Sequence, residues 1–186
     1  MKHRQPHPFA LSRGFTLIEL LITLLIVGVL LSLAVPSLRA YSANQALSSV
    51  VSDLMSSTLQ ARSAALKTNR PAMVEPLTAG DWLSGWRVYV DKNANGVFDS
   101  ATDELIAVRE PLVPDIQIVA LTGTGEGSSK TEIGYTADGF VATIGGSNAG
   151  SIALKSVYTS RIKMLRVSRV GRAYICDPKL TPGCDS

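Results

Sequence analysis

Four groups of side chains in this chain have the types and spacing to do chemistry. Glu19 is the one ionisable residue in an otherwise apolar run from Phe15 to Val35. A carboxylate is costly inside a bilayer, so its presence points to a function, and a neighbouring amine is the partner that would neutralise it. Asp91, Asn93, Asn95, Gly96 and Asp99 set oxygen ligands at alternate positions around a tight Gly turn, as the first part of an EF-hand loop does. The bidentate Glu due at loop position twelve is missing: Thr102 stands there, Asp103 and Glu104 come late, and no helices flank the loop. The preferred reading is therefore a hydrogen-bonded, Asx-rich turn, with calcium as the weaker alternative. Lys163, Arg166, Arg169, Arg172 and Tyr174 form a third group around the Gly of Arg166-Val167-Ser168-Arg169-Val170-Gly171-Arg172-Ala173-Tyr174. Arginines on a tight turn can contact phosphates, and a Tyr ring can stack on a base. The bland alternative is a solvated charged edge that keeps a terminal hairpin from pairing with other strands.

The fourth group is Cys176 and Cys184. The apolar run is long enough to span a bilayer, since twenty-one residues at helical rise cover about 30 Å. Lys2, Arg4 and Arg13 precede it with no acid, which holds that end in the cytoplasm and sends the rest across. The two cysteines then lie in an oxidising compartment, where a disulfide is expected to pin the tail between them. With no His near them, they make a poor metal site. A signal peptide or a plain anchor would explain the length of the run but not the Gly before it, Glu19 within it and the helical pattern after it.

Those elements follow in order. After Pro36, Leu47, Val50, Val51, Leu54, Thr58, Leu59, Arg62 and Ala65 recur at steps of three and four, predicting one helix from about Phe15 to Lys67, ended by Thr68-Asn69-Arg70-Pro71. Such a helix is about 80 Å long, so its second half must lay a stripe on a globular domain. From Ala72 the period becomes two. Strands are expected at Ala72–Leu77, Gly85–Asp91, Glu104–Glu110, Ile116–Leu121, Thr131–Thr136, Gly139–Ile144, Ser151–Leu154, Ile162–Ser168 and Arg172–Cys176. Thr122–Lys130 and Gly145–Gly150 are read as loops. The fold class is α+β, with antiparallel strands packed on the helix's C-terminal half.

The net charge of +3 hides a local pattern. Four of the eighteen basic residues and one of the fifteen acidic ones precede Tyr41, leaving a balanced remainder. Yet six basic residues and no acid fall between Lys155 and Arg172, as a surface for an anionic partner would require. Both histidines, His3 and His7, lie before the apolar run. With no other His, and with its cysteines taken up, the remainder shows no nucleophilic triad or common metal cluster, so no enzyme, cofactor or small-molecule substrate is expected.

Gly14-Phe15-Thr16-Leu17-Ile18-Glu19 resembles the processing site of type IV prepilins and of the pseudopilins of type II secretion. The resemblance implies that a prepilin peptidase cuts after Gly14 and that Phe15 is then methylated. It also implies that Glu19 pairs with a neighbour's amine during assembly and that Pro36 is the helix-kinking proline. Residues 1–14 would be a leader, 15–40 the membrane and filament-core half of the helix, and 41–186 a periplasmic head. Trp82-x-x-Gly85-Trp86 followed by the Asp91-to-Gly96 turn looks like the GspH/FimT subgroup of minor pilins. That implies an inner-membrane precursor of a Gram-negative bacterium, later part of a pilus or pseudopilus, with other major and minor pilins as partners. Three roles follow from it: a minor pilin, a DNA-binding minor pilin for natural transformation, or a minor pseudopilin of type II secretion. In the FimT branch a G-R-x-R motif is associated with double-stranded DNA. Gly171 and Arg172 match it, and Tyr174 stands in place of the second Arg.

Overall fold

The computed structural model describes residues 14–112, 114–122, 132–142, 150–181 and 184. The expected leader up to Arg13, the loop 123–130, Thr131 and the stretch 143–149 lie outside the described residues. Among the described residues one helix, α1, runs Leu17–Thr68, and eight strands follow: β1 Ala72–Thr78, β2 Asp81–Val90, β3 Glu104–Arg109, β4 Ile116–Thr122, β5 Ile133–Tyr135, β6 Gly150–Ser156, β7 Ile162–Val167 and β8 Ala173–Cys176. The chain divides into two units, one up to Arg39 and one from Ala40 onward.

In the first unit α1 starts at a threonine N-cap. Thr16 Oγ1 accepts the Glu19 backbone N–H at 3.3 Å, so Thr16 caps the helix and Glu19 is the third residue of its first turn. An 18-residue window here has a mean hydropathy of 2.7, enough in length and composition to cross a membrane. The helix continues through Pro36.

The second unit is the α+β head. All strand pairs are antiparallel and form two four-stranded sheets, ordered β3-β2-β1-β5 and β4-β6-β7-β8. The head's part of α1 buries Ala43, Leu47, Val50, Val51, Leu54, Ser57, Thr58, Ala61 and Ala65 against both. The stripe therefore turns through Ser57 and Ala61, and Leu59, expected on it, faces solvent. Ser57 is inside because the indole of Trp86 donates to its Oγ at 2.8 Å. A polar residue is tolerated there because its hydrogen bond is made. α1 ends where expected, with Asn69 in the left-handed region (φ 53) and Arg70 N–H donating back to the Ala65 carbonyl at 3.4 Å. That is a Schellman stop, with Asn in the position usually held by Gly.

On the first sheet, Ala72, Val74, Trp86, Val88 and Val90 point to the core. Strand β2 begins four residues before the expected Gly85 and carries Trp82 into the core beside Trp86, with ring centroids 6.3 Å apart. Gly85 interrupts the strand at φ +89. A Cβ there would lie 2.2 Å from the Arg109 carbonyl oxygen, so only Gly lets β3 approach. Of the expected strand Gly139–Ile144, the described part makes one bridge, Tyr135↔Val141. Gly139 instead closes a turn at φ +75, donating to the Thr136 carbonyl at 2.8 Å. The sequence alternates there, but the turn falls inside the alternation.

Irregular segments cover part of the outer faces of both sheets. Residues 91–103 return over the first sheet. Phe98 packs edge-on against Tyr89 at 5.1 Å and lies under the Arg87 guanidinium at 4.7 Å. Arg87 also pairs with Glu75 opposite it at 3.0 Å. On the second sheet Cys176 is bonded to Cys184, whose carbonyl accepts from Arg166.

The Gly85 contact separates two kinds of glycine. Gly85→Ala meets backbone and is expected to destabilise the head by roughly 2 kcal/mol or more. Gly96→Ala (φ +72) has open space around the new methyl. It is expected to cost only about 1 kcal/mol, for the backbone conformation. Denaturant midpoints of the two variants check the order.

Candidate functional site

At the foot of α1 the backbone hydroxyl partners are local. Thr23, Ser32 and Ser37 each donate to the carbonyl three residues earlier, at 2.8, 2.7 and 2.8 Å. These bonds hide the hydroxyls from an apolar surrounding. The Glu19 carboxylate has no such partner among the described residues, and Phe15 and Gly14 stand just before it. It is the one group in this stretch that needs something from outside.

The Asp91 loop uses its oxygens on its own backbone. Asp91, 1% exposed, accepts from Gly96 N–H at 2.7 Å and Asn95 N–H at 3.3 Å. Asn93 Oδ1 accepts from Asn95, Asn95 Oδ1 from Val97, and Asp99 Oδ1 from Ala101, at 3.1, 2.9 and 2.9 Å. Asp103 closes the loop by accepting from Lys92 at 2.9 Å and Asp99 at 2.8 Å. Ala94 takes the left-handed conformation (φ 56) so that the turn can tighten. Each Asx side chain replaces a missing backbone partner, and the result presents Phe98 to Tyr89. Burial, and then the charge of Glu75, hold the Tyr89 phenol above its usual range.

The basic group is built on the β7–β8 hairpin. Ser168 N–H donates to Arg172 at 2.9 Å and Gly171 N–H donates to Ser168 at 2.8 Å, which makes a three-residue loop with Gly171 at φ +77. This is the turn whose left-handed position favours Gly. Arg166 lies opposite Tyr174, and alternation puts Arg172 on the same outer face. The Arg172 guanidinium is 6.0 Å from the Tyr174 ring centre. Arg166 Nη1 donates to the Cys184 carbonyl at 2.7 Å, so the disulfide-closed tail holds it in place. Arg169 is exposed at the turn. Lys163 does not join them: it shares the parity of the buried Leu165 and Val167 and belongs to the other face.

Arg62, counted with the helix stripe, proves to organise this region. Its Nε donates to the Gly139 carbonyl at 3.0 Å and its Nη2 to the Val170 carbonyl at 3.1 Å. One guanidinium thus ties a turn after β5 to the tip of the β7–β8 hairpin. Val141 N–H donates to the Arg169 carbonyl at 3.3 Å, and the Tyr135 hydroxyl reaches the Gly171 carbonyl at 3.4 Å. Burial pushes the Tyr135 phenol up to about 12, against the opposing pull of Arg62. A Cβ on Gly171 would lie 2.3 Å from the Gly139 carbonyl oxygen. The signal for this junction was a lone Arg at helical spacing on an apolar face, where it must find hydrogen-bond acceptors.

Comparison with known proteins bears on the same features. Residues 50–171 match the family model described as Type II transport protein GspH, which is well over half of the chain. The chain belongs to the GspH family. Residues 10–35 match the prokaryotic N-terminal methylation motif, which brackets Gly14, Phe15 and Glu19. The type IV major fimbrial protein FimA of Dichelobacter nodosus is 30% identical over 83% of this chain and 85% of its own length. The pilin-like protein PilA1 of Thermus thermophilus is 40% identical over 47% of this chain, which spans about half (53%) of that relative. The crystal structure of the type IV minor pilin FimU of Pseudomonas aeruginosa superposes with a TM-score of 0.55, covering 75% of this chain and 97% of that one. At 18% identity that likeness speaks for the fold. GspH-family proteins and pilins are structural subunits rather than enzymes, and the methylation motif implies prepilin processing. The apolar helix and the motif fit a membrane-anchored precursor and a pilus or pseudopilus.

Replacing Arg62 by Met keeps the helix stripe and leaves the Gly139 and Val170 carbonyls without their donors. A loss of about 2–3 kcal/mol is expected, because each donor is charged. Hydrogen exchange should rise at Val141 and Gly171 before it rises in the β1–β2 pair.

Proposed function

We propose that this chain is a minor subunit of a type IV pilus. A prepilin peptidase cuts it after Gly14, leaving Phe15 as the new, methylated N-terminus. Residues 15–40 then serve first as the membrane anchor and afterwards as filament core, and residues 41–186 are a periplasmic head that presents its surfaces to other pilins. The observation that carries this is the Glu19 carboxylate, unpartnered in a stretch whose hydroxyls are bonded locally. A carboxylate in lipid favours whichever arrangement brings it a cation, and the amine of a neighbouring subunit's first residue is such a cation. Assembly is thereby favoured over dispersal, while Pro36 takes the position of the family's kinking proline. A pseudopilus of type II secretion would use the same anchor, and the family's description keeps that alternative in view.

The test separates processing from assembly. Co-expression with a prepilin peptidase is expected to remove the leader from the native chain, seen as a loss of fourteen residues in the intact mass. Gly14→Val should stay uncut. Glu19→Val should be cut yet fail to enter sheared filaments, and its normal incorporation would sink the pairing mechanism.

A second role, DNA capture, is favoured by the Arg172–Tyr174 contact on a face that also carries Arg166. Guanidinium groups would take phosphates and the Tyr ring a base, with Arg169 reaching from the turn. Here the processed protein in detergent should bind duplex DNA with an affinity that falls as salt rises. Arg172→Ala should lower the slope of log affinity against log salt by about 1. Weak binding that is indifferent to both salt and this substitution would leave the hairpin a contact for other subunits.

A further inference from the structure

The turn after β5 and the tip of the β7–β8 hairpin lie side by side. Val141 N–H donates to the Arg169 carbonyl and the Gly139 carbonyl faces Gly171, so the two segments run antiparallel. Phe140 thereby comes alongside Val170. Leu66 closes the group from α1, since a Cβ on Gly139 would lie 3.0 Å from its Cδ2. All three side chains are open to solvent: Leu66 is 54% exposed, Phe140 53% and Val170 57%. Single exposed apolar residues are ordinary on a protein surface, but a contiguous group marks a contact.

The backbone under this group is fixed. The Phe140 carbonyl accepts from Thr136 N–H at 2.9 Å and from Thr136 Oγ1 at 3.2 Å, and Ala142 N–H donates to the Gly134 carbonyl at 2.8 Å. Arg62 binds the Gly139 and Val170 carbonyls, one from each segment. An aromatic ring held out on rigid backbone loses little freedom when a partner covers it, which suits it to anchor an interface.

Charge selects the partner. Arg62, Arg169 and Arg172 stand around the group, and the ion pairs among the described residues include none of them. Asp138 is the one acid in residues 136–142 and 168–172. A basic partner is repelled by such a surface and an acidic one is drawn to it. Leu66 and Val170 have no face on which a base could stack, and nucleic-acid interfaces are polar, so the apolar group suits a protein rather than DNA.

We propose that Leu66, Phe140 and Val170 form a docking surface for a neighbouring filament subunit that offers an apolar side chain flanked by carboxylates. The apolar side chain covers Phe140, and the carboxylates meet Arg169 and Arg172 at the rim. This rests on the reading of the chain as a filament subunit.

The full-length protein with benzoylphenylalanine at position 140 tests the surface, in cells that assemble the filament and are irradiated before shearing. A crosslink to another subunit is expected, and peptide mapping should place its far end on an apolar residue with Asp or Glu beside it. The same probe at Val157, exposed before the other end of β7, should give little of that product. Phe140→Ser and Arg169→Glu are each expected to lower incorporation into sheared filaments by about tenfold. Leader removal and the thermal midpoint should stay as in the native chain, and Val157→Ser should change nothing. Native incorporation of both patch variants would overturn the docking surface and leave the filament reading standing. A crosslink mapped to a segment without acids would overturn it too. So would loss of DNA binding in Phe140→Ser with incorporation unchanged, which would give the surface to nucleic acid. A native chain that never enters filaments would overturn both readings.

Discussion

Arg62 carries the constraint on which the head's architecture depends. Two separate four-stranded sheets share a helix, and a charge placed on that helix's inner face must be answered by acceptors from both sides. The Gly139 and Val170 carbonyls come from turns on different sheets, and neither is bonded within its own strand ladder at that atom. A guanidinium is suited to this because its donors diverge in a fixed plane, which a Lys ammonium would not reproduce. Apolar burial of Leu47, Val51, Leu54, Ala61 and Ala65 supplies the general attraction, but such contacts tolerate sliding. The bonds from Arg62 give the two sheets a register relative to α1.

A related economy governs the outer faces. Half of each sheet's side chains point away from α1, and a chain of this size has no second helix among the described residues to cover them. The first sheet uses a loop whose carboxylates and amides are spent on its own N–H groups, so that it can hold Phe98 against Tyr89 and Arg87. The second uses a covalent link, Cys176 to Cys184, and the carbonyl of Cys184 then fixes Arg166. Both are ways of ordering irregular backbone without a large apolar interface.

The parts of this protein set by short-range rules were legible in its sequence. The apolar run, the Gly14–Glu19 motif, the helix stop before Pro71 and the Asx-rich turn each depend on neighbours within a few residues. The alternation of Trp86, Val88 and Val90 gave the inner face of β2 directly. What escaped depends on distant chain segments. Leu59 and Ser57 exchange places because Trp86 needs an acceptor, and nothing near Ser57 announces that. The strand at Gly139 dissolves into a turn because Arg62 and Gly171 claim its carbonyl and its space. Lys163 left the basic group because the period-two rule places it with Leu165, a parity that was available but that a count of charges overlooks.

The close approach of Gly171 to the Gly139 carbonyl gives this glycine a reason of its own within the head. A side chain at that position would collide with another turn of the same head, whether or not the hairpin ever touches an anion. A glycine there is therefore required by how this head closes. The residue two places after Arg172 answers to no such closure and lies on the exposed face. An Arg there would add a charge to the exposed face; Tyr174 puts a ring under a charge that is already present. The glycine therefore answers to the architecture of the head, independently of anything the exposed face holds.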